Sequence, residues 1–289
     1  MPKTQKDFND YNTEVKPTWC PGCGDFGIWT ALRMAIADLG WEPHDFLVVY
    51  GIGCSGNMAN FVKSYGFHGL HGRALPVAIG AKLANQDLKI IVLGGDGDGY
   101  GEGGNHFIHA LRGNVDITYI VHDNQVYGLT KGQMSPTTEQ GQPTSSTPEG
   151  VIEQPINPVA LAVAAGGTFV AQGFAGDTLQ LRELIKQAIA HPGFAHVNVL
   201  QPCVTFNHHN TFSWFMKRVY KLEPGKYESG NKLKAFEKAL EWGEKIPTGI
   251  IYQEIRHTYE QDVSELKKQS LLRQALKKID ISKTLAKFS

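Results

Sequence analysis

Cysteine is scarce in this chain, four in 289 residues, and so is net charge, because 28 basic and 28 acidic side chains cancel. That balance excludes bulk attraction to nucleic acid or to a membrane surface. No apolar run approaches the roughly 20 residues a membrane helix needs. The opening segment, MPKTQKDFNDYNTEVKP, is polar and lacks the apolar stretch of a signal peptide, so a cytoplasmic location is expected. In that compartment the four thiols serve something other than structural disulfides. What the chain has in plenty is apolar residues (42%) and glycine (32 residues), enough for one large α/β domain or two small ones.

The stretch 90–133, IIVLGGDGDGYGEGGNHFIHALRGNVDITYIVHDNQVYGLTKGQ, organises the rest. It reads as a buried strand at 89–93, a glycine- and aspartate-rich turn, a helix at 105–112 and a second buried strand at 117–121, a βαβ unit. Ligands of open α/β sheets bind outside the carboxyl ends of the strands, where Asp96, Asp123 and Asn124 stand. Seven glycines between Gly94 and Gly104 are more than a tight turn needs. Gly99-x-Gly101-x-x-Gly104 fits the dinucleotide fingerprint in form, but Asp96, Asp98 and Glu102 repel a pyrophosphate unless a cation lies between. Asp96 and, 28 residues on, the amide oxygen of Asn124 suit Mg²⁺, with the backbone carbonyl of Val126 as a third oxygen.

Upstream, Trp19-Cys20-Pro21-Gly22-Cys23-Gly24 precedes a helix expected at 26–39, with Asp25 as its N-cap and Gly40 as its stop. The CxxC admits a dithiol or structural zinc. Against these, YNTEVKPT is too polar for the strand of a thioredoxin-like motif, and only one ligand pair is visible. A strand at 46–50 leads into Gly51-Ile52-Gly53-Cys54-Ser55-Gly56, which lacks the acid that follows a dinucleotide loop. A short helix is expected at 57–65. His71 and Arg73 then open a helix to about residue 86, where they can help bind an anion.

Residues 131–157 form a long polar segment, read as an ordered lid or partner contact because it leaves the central unit directly. Helices are expected at 158–165 and 177–190, the latter capped by Asp177. Strands are expected at 168–171 and 195–200, the second being the last clear one, and Cys203 follows it. Beyond lie Asn207, His208, His209 and Asn210, whose histidines read as solvated more readily than as metal ligands. The tail from about residue 262 has a helical pattern, with Leu266, Leu271, Leu272, Leu276, Ile279 and Leu285 facing in. Lys267, Lys268, Arg273, Lys277, Lys278, Lys283 and Lys287 make it basic, either a solvated face or an attractor for an acidic electron carrier. Residues 1–235 are expected as an α/β domain and 236–289 as a helical extension.

Cys54, Asp96, Asn124 and Cys203 each follow a buried strand. A parallel sheet places them along one edge, within reach of the helix that Cys20 and Cys23 open. Four thiolates there suit iron–sulfur chemistry.

GDG followed by Asn at this spacing resembles the thiamine diphosphate motif. The fuller string GDGDGYGEGGNHFIHALRGNVDI…DNQVYGLTKGQ resembles the β subunits of 2-oxoacid:ferredoxin oxidoreductases. The resemblance implies a doubly wound parallel sheet of the thiamine diphosphate-binding fold with a helical C-terminal tail. It implies thiamine diphosphate, Mg²⁺ on Asp96, Asn124 and Val126, and one [4Fe–4S] cluster on Cys20, Cys23, Cys54 and Cys203. Gly95, Gly97 and Asp98 would cover the diphosphate, with Cys54, Ser55, His71 and Gly72 close by and Gly128, Leu129 and Thr130 on its far side. His71 would lie by the cofactor, and Asn57 and Leu129 would face the reacting acid; these three are the catalytic candidates.

The implied activity is CoA-dependent oxidative decarboxylation of a 2-oxoacid, or the reverse carboxylation, with electrons leaving through the cluster to ferredoxin. The match looks most like the 2-oxoglutarate enzymes (2-oxoglutarate synthase), with pyruvate or branched-chain 2-oxoacids as alternatives. Arg73, Lys131 or the partner chain would anchor a dicarboxylate. An α subunit would supply the glutamate that activates the cofactor, in an α2β2 assembly. A non-catalytic iron–sulfur electron-transfer subunit is the rival from another class, and the GDG…N site argues against it. The cysteine quartet argues against a thiamine-dependent decarboxylase without electron transfer.

Overall fold

The computed structural model describes residues 6–223, 225–267, 269–274 and 280–288. Along the chain come α1 (Asp25–Leu39), β1 (Phe46–Tyr50), β2 (Tyr65–His68), α2 (Ala74–Ala84), β3 (Lys89–Gly95), α3 (Gly104–Gly113) and β4 (Thr118–Asp123). Two short paired strands follow, β5 (Val126–Tyr127) and β6 (Gln133–Met134). Then come α4 (Pro158–Ala164), β7 (Phe169–Phe174), α5 (Thr178–Ala190), β8 (Ala195–Leu200), α6 (Phe212–Met216), β9 (Val219–Lys221), α7 (Lys232–Ala239) and β10 (Ile246–Gln253). Two one-turn helices, α8 (Tyr259–Asp262) and α9 (Ser282–Leu285), complete the elements used below.

Eight strands form one sheet in the order β2-β1-β3-β4-β8-β7-β10-β9. Every pairing is parallel except that of β7 with β10. The strands are apolar on both faces because helices cover both. Val48, Ile91, Leu93, Ile120, Val197 and Val199 pack with Ile28, Leu32 and Ile36 of α1 and with Leu181, Leu184 and Ile185 of α5. Their neighbours Val49, Val92, Tyr119 and Val121 point the other way, into Leu75 of α2, Phe107 of α3 and Val163 of α4. Each such burial contributes about 1.5–3 kcal/mol against an exposed side chain. From β1 the chain steps outward to β2, then returns to lay β3 and β4 on the other side. That reversal opens a crevice at the carboxyl ends of β1, β3 and β4.

Several expectations are corrected. β8 is not the last strand: β10 lies in the main sheet, inside the segment from residue 236 expected to be a helical extension. Its sequence, IPTGIIYQ, hides it, since Pro247 and Gly249 are poor company for a central strand. The short helix expected at 57–65 is one 3₁₀ turn (Gly56–Asn60), after which the chain extends into edge strand β2. Asp25 does not cap α1; the N-cap is Gly24, with no side-chain bond, and Asp25 is buried. In the tail Leu266 is buried, but Leu271, Leu272 and Leu285 are exposed. Leu276, Ile279, Lys268, Lys277 and Lys278 lie outside the described residues. Asp177 caps α5 as expected, accepting from the Gln180 amide. Among the described residues no helix is long and apolar enough to cross a membrane.

Candidate functional site

At the end of β3 the chain turns into a π-helical turn, Gly97–Glu102, in which the Gly103 amide reaches back to the Asp98 carbonyl. Wider turns of this kind concentrate at functional sites. Here the turn points Asp96 and Asp98 inward, both buried. Asp96 Oδ2 accepts from Ser135 Oγ at 2.5 Å and from Thr137 Oγ1 at 2.6 Å. Thr137 Oγ1 also lies 2.9 Å from Asp123 Oδ1, so one hydroxyl stands between two carboxyl groups and shares its single proton with them. Burial pushes the Asp96 carboxyl upward against the pull of those hydroxyls and of the Gly97 amide. Burial first, and then the charge of Asp96, pushes the Asp123 carboxyl up to about 7. Neighbouring buried carboxylates answered only by hydroxyls and amides form a donor set suited to a hard cation.

Asp98 serves as a clasp. Its Oδ1 accepts from the Ile52 amide at 2.9 Å and the Gly72 amide at 2.8 Å, with His71 Nδ1 at 3.5 Å. A Cβ on Gly51 would stand 2.0 Å from Asp98 Oδ2, so glycine there makes room for this carboxylate. The loop after β1 and the HGR turn are thereby tied to the end of β3.

These loops enclose a cavity of about 70 Å³. Cys54, Ser55, His71, Gly95, Asp96, Gly97 and Asp98 line one side of it, and Asn124, Val126, Gly128, Leu129 and Thr130 the other. Gly72 stays outside and contributes only its amide to Asp98. Ser55 Oγ is buried beside Gly95 with no hydrogen-bond partner among the described residues, an unanswered polar atom on the wall. Arg73 donates to the carbonyls of Gly72 and Glu102 and, like exposed Lys131, does not line the cavity.

A second cavity, of about 220 Å³, adjoins the first and is lined by Cys20, Cys23, Cys54 and Cys203 together with Asn57. The two share Cys54, Asn124, Gly128 and Leu129. A Cβ placed on Gly128 would lie 3.5 Å from Cys54 Sγ and 3.8 Å from Cys203 Sγ, so the bare backbone of Gly128 stands close to both sulfurs. Burial raises the Cys54 thiol to about 12, helped by the charge of Asp25, and raises that of Cys23 well above its ordinary value. Among the described residues no three His, Cys, Asp or Glu side chains stand as a ready site for one ion. The sulfurs surround a space and do not converge on a point.

Local patterns missed some contributors. Ser135 and Thr137 come from the long polar segment, which is fastened onto Asp96 and Asp123 and buried there. Asp25 pairs with His122 instead of capping its helix. Asn207 Nδ2 donates to the Asn124 carbonyl at 3.0 Å, bracing that loop. His208 and His209 are exposed, and His209 sits 3.5 Å from Glu139.

Comparison with known proteins identifies relatives of the chain in sequence and fold. Residues 51–199 match the thiamine pyrophosphate enzyme C-terminal TPP binding domain, and residues 203–268 match the C-terminal part of the pyruvate ferredoxin oxidoreductase beta chain family. The 2-oxoacid:ferredoxin oxidoreductase subunit beta of Saccharolobus solfataricus is 51% identical over 86% of this chain and 85% of its own. The 2-oxoglutarate synthase subunit KorB of Archaeoglobus fulgidus is 42% identical over 69% of this chain and 75% of its own. A solved 2-oxoglutarate:ferredoxin oxidoreductase from Magnetococcus marinus superposes with a TM-score of 0.90 at 41% identity, covering 98% of this chain and 96% of that one. On sequence and fold together, the chain belongs to the β subunits of the 2-oxoacid:ferredoxin oxidoreductases and carries the thiamine pyrophosphate enzyme C-terminal domain.

Proposed function

We propose that this chain, joined to an α subunit in an α2β2 assembly, catalyses CoA-dependent oxidative decarboxylation of 2-oxoglutarate to succinyl-CoA and CO₂, or the reverse carboxylation. Electrons pass through one [4Fe–4S] cluster to ferredoxin. The observation that carries this is the shared wall: the cysteine cavity and the Asp96 cavity meet at Cys54, Asn124 and Gly128. Two relatives bear on the substrate, since one is named a 2-oxoglutarate synthase subunit and the solved structure holds 2-oxoglutarate, coenzyme A and succinyl-CoA.

The residues present suit the groups proposed. Asp96, the Asn124 amide oxygen and the Val126 carbonyl would hold Mg²⁺, which supplies the countercharge that Asp96 and Asp123 lack. Thiamine diphosphate, when bound, supplies the carbon nucleophile and electron sink for decarboxylating a 2-oxoacid. Ser55 Oγ and the amides around Gly97 would meet the diphosphate, while His71, Asn57 and Leu129 sit where the acid enters. Cys20, Cys23, Cys54 and Cys203 would hold the cluster, and metal binding would draw the protons off thiols that burial keeps neutral. The glutamate that activates the aminopyrimidine would come from the α chain.

The test is anaerobic purification of the chain with its α partner, then metal and sulfide analysis, extraction of thiamine diphosphate, and CoA-dependent viologen reduction with a panel of 2-oxoacids. The expected result is a brown complex preferring 2-oxoglutarate, and an inactive β chain when purified by itself. Preference for pyruvate or a branched-chain acid would overturn the substrate; zinc in place of iron would overturn the electron route.

A further inference from the structure

One buried pair stands between the two cavities, and the chemistry above does not use it. His122 Nδ1 and Asp25 Oδ1 lie 2.6 Å apart, with the side chains 1% and 0% exposed. Asp25 opens α1 and lines the cysteine cavity, whereas His122, near the end of β4, lines the Asp96 cavity. On the cysteine side Cys23 Sγ donates to Asp25 Oδ2 at 3.3 Å. On the other side His122 Nε2 is buried and has no partner among the described residues. A buried polar atom without a partner is costly unless a ligand answers it. A carboxylate on one ring nitrogen fixes both the tautomer and the orientation of the ring, so the far nitrogen becomes an aimed acceptor.

We propose that Asp25 and His122 form one positioning unit that couples the cavities. Asp25 holds the ring, and Nε2 accepts a hydrogen bond from an amino or hydroxyl group of the ligand in the Asp96 cavity. With the cluster bound Cys23 has no proton to donate, and the same carboxylate bears on the metal side through its charge beside that sulfur. This rests on the assignments of the two cavities and adds the means by which one senses the other.

The experiment uses the αβ complex purified anaerobically. Wild type comes first: absence of bound cofactor or of cluster absorbance would sink the cavity assignments and not the coupling. His122→Asn keeps an amide near the Nδ1 position and removes Nε2, whereas His122→Gln returns an amide near Nε2. His122→Asn is expected to weaken thiamine diphosphate binding by about five- to tenfold. His122→Gln should recover most of that loss, with cluster absorbance unchanged in both. Asp25→Asn should weaken the cofactor similarly and also raise the cluster's reduction potential in an EPR-monitored titration, because a carboxylate beside Cys23 opposes an added electron. Where Asp25→Asn does not fold, Asp25→Glu keeps the charge but misplaces the ring, so affinity should fall while the potential holds. Lys234→Ala, on the surface, should change neither. Cofactor affinity within twofold of wild type in His122→Asn would overturn the proposal, as would an unmoved potential in Asp25→Asn.

Discussion

The strands β4, β7 and β8 begin in one buried polar cluster and run toward another, and the two ends differ in kind. At the amino end Asn114 takes a left-handed conformation, and its Oδ1 accepts from Thr168 Oγ1 at 2.7 Å and the Phe194 amide at 2.9 Å. Its Nδ2 donates to the His257 carbonyl at 3.0 Å, and His191 Nε2 meets Thr168 Oγ1 at 2.9 Å. Nearby, Lys82 pairs with Asp116 at 2.8 Å. His191 Nδ1 has no partner among the described residues, but it lines neither site cavity. At the carboxyl end Asp96 presses on Asp123, and Ser55 Oγ and His122 Nε2, on residues that line the Asp96 cavity, are buried with no partner among the described residues. Polar atoms that answer one another hold a fold together. Polar atoms left facing a cavity are arranged for something that binds there.

That contrast can be broken by mutation, and the largest expected effect is at the sulfurs. Cys54→Ser or Cys203→Ser should abolish visible cluster absorbance and cut viologen reduction by more than about 100-fold, while far-UV circular dichroism stays unchanged. Asp96→Asn comes next. It should weaken Mg²⁺-dependent thiamine diphosphate binding by about 10- to 100-fold. Yet it should raise the melting temperature of the cofactor-free chain by roughly 2–4 °C, because it removes one of two neighbouring buried carboxylates. A lowered melting temperature would show that the carboxyl rim is structural after all.

At the opposite end the signs reverse. Asn114→Ala strains a residue at φ 54° and strands the Phe194 amide, while the Thr168 hydroxyl loses its 2.7 Å acceptor. It should cost about 2–4 kcal/mol in urea denaturation and leave cofactor affinity alone.

The smallest effect lies between the ends, at His196 on β8. Burial lowers its pKa to about 3, beneath the ordinary value near 6.5. Below pH 6.5 the unfolded chain therefore takes up a proton that the folded chain refuses until about pH 3, and stability falls across that window. The loss is about 2 kcal/mol at pH 5. His196→Gln should flatten this acid limb, as compared by urea midpoints at pH 7.5 and pH 5.

Much of the frame was legible in the sequence because it is local. β1 is an unbroken apolar run, FLVVY, and β8, AHVNVL, sets Ala195, Val197 and Val199 at every second position; both are bounded by turn residues, so their limits can be read directly. α5 carries its own start signal in Asp177. What escapes is what distance supplies. Asp25 occupies a capping position by every local rule, yet its partner is His122, 97 residues away. Ser135 and Thr137 sit in a segment of Thr, Ser, Pro and Gln without period, so nothing nearby marks them as the hydroxyls that meet Asp96. β2 gives no apolar signal because its four residues, YGFH, are all exposed at the sheet edge. The cysteines were legible as a group only through topology: each strand end can be named, and a parallel sheet aligns the ends.

The four sulfurs are not equivalent in their access to water. Cys20 is exposed, Cys54 is half-buried, and Cys23 and Cys203 are shut away. An oxidant diffusing in from bulk solvent meets Cys20 before Cys23 or Cys203, so damage by air begins at that corner. Were the proposed cluster held there, a redox protein touching the surface would be offered the same corner first, and the weakest point of the site in storage would also be its doorway.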